Sequence, residues 1–158
     1  MPPESTPYRF GDLLARARQS WVNEMAKRLT LRGYSEYRRS DAATMRLLAD
    51  RSFAIGELGE VLGVTRQAAR KVVDQLEARG LARTERDATD ARQLNVVLSP
   101  EGRRYSAAVT AVIMELNEEV VRRFEPEQLL AVDSALRAVI FDGSLRERVE
   151  RSIPPPGQ

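Results

Sequence analysis

Apolar residues recur at three- and four-residue intervals along most of this chain and alternate over one short region near its middle. That pattern predicts a mainly α protein with a small β-hairpin. From about Arg9 to Arg32, Phe10, Leu13, Leu14, Ala17, Trp21, Met25 and Leu29 fall on one stripe of a long helix, which Gly33 stops. Tyr34 to Arg39 is a polar, aromatic connection, and Ser40 is placed to cap a second helix carrying Met45, Leu47 and Leu48. Phe53, Ala54 and Ile55 suit one short strand. A brief helix then runs to about Leu62 with Leu58, Val61 and Leu62 turned inward, and Gly63 and Val64 make a tight turn.

The helix after that turn organises the rest. Thr65 is a good N-cap, because its hydroxyl can accept an otherwise unpaired amide of the first turn. Gly80 suits the position just past the C-terminus, where a positive φ is usual. Between them Ala69, Val72, Val73 and Leu76 define one buried face, and Arg66, Gln67, Arg70 and Lys71 occupy the other within the first two turns. On an isolated helix such residues are more often a solvated face. Long hydrogen-bonding side chains at the N-terminal half of a helix also suit entry into a DNA major groove.

The neighbours of this helix favour the second explanation. Two helices joined by a few residues including Gly, with a cap opening the second, form a helix-turn-helix. Leu81 to Arg86 alternates weakly and Gln93 to Leu98 reads as a β-branched strand. The small and polar residues from Asp87 to Arg92 predict a hairpin tip between them. A helix-turn-helix followed at once by a hairpin is a winged helix, here with Arg86 at the base of the wing and Arg92 on its far side. Arginine inserted into a narrow minor groove is a recurrent readout device.

Ser99 and Pro100 restart a helix that continues through Tyr105, Val109, Val112, Leu116 and Val120 to about Phe124, near heptad spacing. Glu125 and Pro126 open another, carrying Leu129, Leu130, Val132, Leu136, Val139 and Ile140 and ended by Gly143. Ser144 to Glu147 reads as a capping box for a last short helix, before Pro154 to Pro156.

Composition narrows the chemistry. The 158 residues suit one compact domain or two interlocked halves sharing a core. Lys+Arg is 25 and Asp+Glu is 23, so the net charge of +2 is no argument for nucleic acid, and only the placement of charges can be one. Only Lys27 and Lys71 are lysines, so the cations are nearly all arginine. The chain has no Cys and no His, which excludes disulfides, thiolate zinc sites and imidazole acid–base catalysis. Glu57 and Glu60 share a helix face, but solubility explains them, and no phosphate-cradling glycine loop occurs. The expectation is therefore a protein that is not an enzyme, with no metal site and no cofactor. Without an apolar run of membrane length or a signal-peptide pattern, it is expected to be cytoplasmic.

The run Ile55 to Arg83, the Asp-x-Arg of Asp90 and Arg92, and the segment Val97 to Arg103 with its Leu-Ser-x-x-Gly-Arg together resemble the MarR family of bacterial transcriptional regulators. The match spans about Leu47 to Arg103, and the wing motif is its most specific part. The resemblance implies a homodimer, one winged-helix lobe per subunit, and an interface of N- and C-terminal helices. It also implies palindromic operator binding, usually for repression and often relieved by a small aromatic or anionic ligand. By position, Thr65, Arg66, Gln67, Arg70 and Lys71 match the recognition-helix contacts, Asp90 the wing acid that orients the arginine, and Arg92 the minor-groove arginine; Arg86 joins them from the base of the wing. Gly59 departs from the family's usual alanine, a change worth about 0.5–1 kcal/mol of helix stability.

The organisation read from the sequence is a winged helix-turn-helix lobe at 36–99, a helical dimerisation region at 8–35 and 100–150, and flexible or draped tails at 1–7 and 151–158. The alternative is a winged-helix protein-interaction module without specific DNA binding. Trp21, Met25, Tyr34, Tyr37 and Arg38 combine aromatic walls with one cation, a mix that suits a planar anionic effector with Arg38 as its carboxylate partner. The plainer alternative makes Trp21 and Met25 core and the tyrosines a loop cover.

Overall fold

The computed structural model describes residues 9–87, 90 and 92–153. The expectations for the proline-bearing ends, and for Ala88, Thr89 and Ala91 at the hairpin tip, lie outside the described residues. The elements in order are α1 (Phe10–Leu31), α2 (Asp41–Asp50), β1 (Phe53–Ala54), α3 (Ile55–Leu62), α4 (Arg66–Ala78), β2 (Ala82–Arg86), β3 (Leu94–Leu98), α5 (Pro100–Val121), α6 (Pro126–Ala138) and α7 (Gly143–Ser152). The protein is thus mainly α with a small sheet. The three strands are antiparallel in the order β1-β3-β2, with Phe53 and Thr84 on either side of Val96 and Arg86 opposite Leu94.

The core is a single cluster drawn from both sides of the expected lobe boundaries. Met25 and Leu29 of α1, Met45 and Leu48 of α2, Leu58 of α3, Val73 and Leu76 of α4, Val96 and Leu98 of β3, and Tyr105, Val109 and Val112 of α5 are buried together. Arg28 straps α1 to α5 by donating to Glu119, with Nη1 2.8 Å from Oε1, and to Glu24 on its own helix. Its hydrogen bonds hold both carboxyls below their ordinary range. The winged lobe and the long helices share one interior.

Two glycines permit close backbone approach. A Cβ on Gly59 would lie 3.1 Å from the Val64 carbonyl oxygen and 3.3 Å from the Ala69 Cβ, so the missing methyl lets α3 lie tightly on α4. The helix-propensity cost expected at this position is therefore set against packing. Gly102 is more constrained, because a Cβ there would sit 1.8 Å from the Leu81 carbonyl oxygen. The Ser-x-x-Gly pattern has its physical reason here. Ser99 Oγ accepts the Gly102 N–H at 2.9 Å and donates to the Gly80 carbonyl at 2.6 Å, joining the start of α5 to the end of α4.

Several local expectations are corrected. Ser40 makes no side-chain cap and has helical backbone angles; the carboxylate of Asp41 accepts the Arg38 N–H at 3.0 Å instead. α7 is capped by Asp142, whose Oδ1 accepts the Leu145 N–H and the Ser144 hydroxyl, both at 2.7 Å, so Ser144 is a partner of the cap rather than the cap. An ionised carboxylate is the stronger acceptor and complements the helix dipole, and these hydrogen bonds hold Asp142 below its ordinary range. Gly143 opens α7, and α6 ends earlier, at Ala138. Val61 faces solvent rather than the core.

Candidate nucleic-acid interface

The geometry of α4 follows from its ends. Thr65 has extended backbone angles and its Oγ1 accepts the Ala68 N–H at 3.2 Å, so the hydroxyl caps the helix. At the other end Gly80, with φ +69°, reverses the chain; the Leu81 N–H reaches the Leu76 carbonyl and the Gly80 N–H that of Glu77, each at 2.9 Å. Ala69, Val73 and Leu76 are sealed against α3 and the core. Arg66, Gln67, Arg70 and Lys71 are all exposed. Arg70 Nε lies 2.8 Å from Asp74 Oδ1, one turn on, which damps its charge and directs its fork along the helix. Among the described residues no ion pair engages Arg66 or Lys71.

The wing is held by its own acids. Asp87 Oδ1 accepts the Asp90 N–H and Asp90 Oδ1 accepts the Arg92 N–H, both at 3.0 Å, while Asn95 Nδ2 donates to Asp87 Oδ2 at 2.6 Å. Asp90 therefore fixes the backbone of Arg92 and leaves its side chain in solvent. Arg86 is exposed at the end of β2. The eight residues assigned to DNA fall on these two elements, α4 with its cap and the wing.

The five residues assigned to an effector lie on α1 and on the connection that follows it. Met25 is sealed in the core, Trp21 and Tyr37 pack partly buried against it, and Arg38 is exposed with its guanidinium 3.7 Å from Glu36. Tyr34 lines a cavity of about 220 Å³ shared with Glu36, Arg79, Leu81, Glu101 and Tyr105.

That cavity opens onto a buried cluster that the sequence reading missed. Asp41, only 1% exposed, receives Arg79 Nη1 on Oδ1 at 3.2 Å; its Oδ2 receives Arg79 Nη2 at 3.0 Å and the Tyr105 hydroxyl at 2.6 Å. Burial works against the Arg79 charge, but the Asp41 carboxylate outweighs it and raises the pKa. Burial, then Asp41, pushes the Tyr105 phenol well above its ordinary value. The one signal in the sequence was that Asp41, Thr44, Met45 and Leu48 share helical spacing, which places an acid on the stripe that α2 buries.

Residues 37–93 match the model of the MarR family. An uncharacterized protein of Mycobacterium tuberculosis is 29% identical over 94 residues, a stretch covering 60% of this chain and 66% of that relative. A probable transcriptional regulator from Pseudomonas aeruginosa superposes with a TM-score of 0.68 at 24% identity, over 84% of this chain and 97% of its own. MepR of Staphylococcus aureus, solved as a DNA complex, superposes with a TM-score of 0.70 at 16% identity, over 82% and 95%. At these identities the superpositions establish the fold. Among the described residues no helix is long and apolar enough to cross a membrane. The matched segment and the shared fold make this chain similar to the MarR family, with the winged helix-turn-helix fold in common.

Proposed function

We propose that this protein is a dimeric, sequence-specific DNA-binding regulator that represses transcription from a palindromic operator. In this reading 36–99 is the DNA-binding lobe, and 8–35 with 100–150 pairs two subunits. The N-terminal half of α4 enters the major groove, with Arg66, Gln67, Arg70 and Lys71 at base edges and phosphates, and Arg92 enters the minor groove from the wing. The observation that carries it is the two-sidedness of α4: one face is sealed by Ala69, Val73 and Leu76, and the other presents four long donor side chains beside a capped N-terminus. A module built only for protein contact has no need of cations on both α4 and the wing.

Pairing is supported by what one chain leaves open. Leu13, Leu130, Val132, Leu136 and Phe141 remain exposed, and α6 buries none of its residues. Two-fold pairing sets two copies of α4 about 34–36 Å apart, facing successive major grooves roughly 10 bp apart. Release by a small aromatic or anionic ligand is a further part of the proposal and rests on the resemblance alone.

Selection of bound sequences from a random duplex library tests the reading. It should return a palindrome, and Arg66→Ala should relax the preference at one base pair per half-site, costing about 1–3 kcal/mol. Recovery of unselected sequence would leave only the protein-interaction alternative.

A further inference from the structure

The strongest polar construction in the molecule lies away from the proposed DNA face, at the far end of α4. Arg79 closes that helix, Asp41 begins α2, and Tyr105 lies in the second turn of α5. The guanidinium meets both oxygens of the Asp41 carboxylate, and the Tyr105 hydroxyl and the Arg38 amide share Oδ2 with it. Arg79 Nη2 also donates to the Glu36 carbonyl. Tyr34 closes the cluster with its ring edge-on to Tyr105, centroids 5.0 Å apart at 61°.

We propose that Arg79, through Asp41 and Tyr105, is the positioning residue that fixes the angle of α4 against α5, and so sets the half-site spacing the dimer accepts. The proposal rests on the DNA-binding reading above.

Three features support it. The side chains that α4 buries, Ala69, Val73 and Leu76, make apolar, non-directional contacts that hold the helix down without fixing its rotation, and the Ser99–Gly80 hydrogen bond pins only the point where the chain leaves it. A two-pronged guanidinium–carboxylate pair is directional, and a small slide breaks both prongs. A buried ion pair adds little net stability over an apolar trio of the same volume, so its use here fits a demand for geometry.

The lever is long. α4 has 13 residues and spans about 20 Å, so a tilt of about 3° at Arg79 moves the Arg66 end by about 1 Å. That displacement is enough to spoil a hydrogen bond to a base edge. Because α5 belongs to the proposed dimerisation region, the angle between α4 and α5 also governs the separation of the two reading heads.

The test uses the full-length protein and two mild variants, Tyr105→Phe and Arg79→Lys. The first keeps the ring and loses one donor; the second keeps the charge and loses the fork. Affinities are measured for the duplex selected by wild type and for the same duplex with one base pair added or removed between half-sites. Each change shifts the half-sites by about 3.4 Å and about 35°. Thermal unfolding is followed in parallel.

The variants should remain folded, and their preference for the parent spacing should narrow by at least about threefold, mostly through loss of parent affinity. A lowered Tm with an unchanged spacing ratio in a folded variant would overturn the proposal and make the cluster merely structural. Should Arg79→Lys fail to fold, Tyr105→Phe decides alone. Wild type without salt-sensitive duplex binding would sink the DNA reading and this inference with it, whereas normal wild-type discrimination with an unchanged ratio would sink the inference only.

Discussion

The winged lobe and the chain ends are both rich in leucine and valine, and these residues meet opposite fates in the two regions. In the lobe Leu58, Val73, Leu76 and Val96 are sealed from solvent, and polar ends are matched within the chain by Thr65, Asp41 and Ser99. At the ends Leu13 is 59% exposed and Phe141 87%, and α6 buries nothing, although its apolar residues keep helical spacing. Helical spacing thus predicts an apolar face without saying which chain covers it. Each such side chain gains about 1.5–3 kcal/mol when fully covered, so in the proposed dimer a row of them would stabilise the pair far more than it stabilises one chain.

Substitutions can break this contrast. Gly102→Ala in the lobe should have the largest effect, because the new Cβ meets the Leu81 carbonyl backbone and no flexible side chain can move aside. A loss of about 3 kcal/mol or more is expected, read as a drop in Tm and in the denaturant midpoint. Leu136→Glu combined with Phe141→Glu should act the other way round. The secondary structure of the lobe should persist while sedimentation shows a monomer, and operator affinity should fall by about a hundredfold or more as the second half-site is lost. Unchanged dimers would mean that these residues are not the interface. Thr65→Ala should be the mildest, about 1 kcal/mol of stability for the lost cap, with Thr65→Ser nearly neutral. A Thr65→Ser variant that loses operator affinity but not stability would assign the methyl group, rather than the cap, to the interface.

Local signals carried much of the fold into the sequence. Spacing placed α1 and α4 within about a residue at each end, and Gly33, Gly63 and Gly80 marked their turns because each needs a positive φ. The cap of α7 was misplaced because a hydroxyl was preferred where an adjacent carboxylate accepts the bond, and Ser40 does not cap α2 because its backbone is already helical. For the candidate site, Arg66, Gln67, Arg70, Lys71 and Arg92 are legible because a helix face and a hairpin are local patterns. The Asp41–Arg79–Tyr105 cluster is not, since its members lie 38 and 64 residues from Asp41 and meet only when α2, α4 and α5 pack. Nor does the sequence pattern give the burial of the effector candidates: Met25 is core, Trp21 and Tyr37 pack partly buried against it, and Arg38 lies beside Glu36.

Titration of full-length protein with its selected duplex at two salt concentrations tests the central claim most directly. A reading head built from Arg66, Lys71 and the wing Arg92 on two subunits should lose about a thousandfold in affinity between about 50 and 200 mM salt, and Arg92→Ala should make that dependence shallower. An affinity that is flat with salt, or the same slope for wild type and Arg92→Ala together with equal binding to every duplex, would contradict the account.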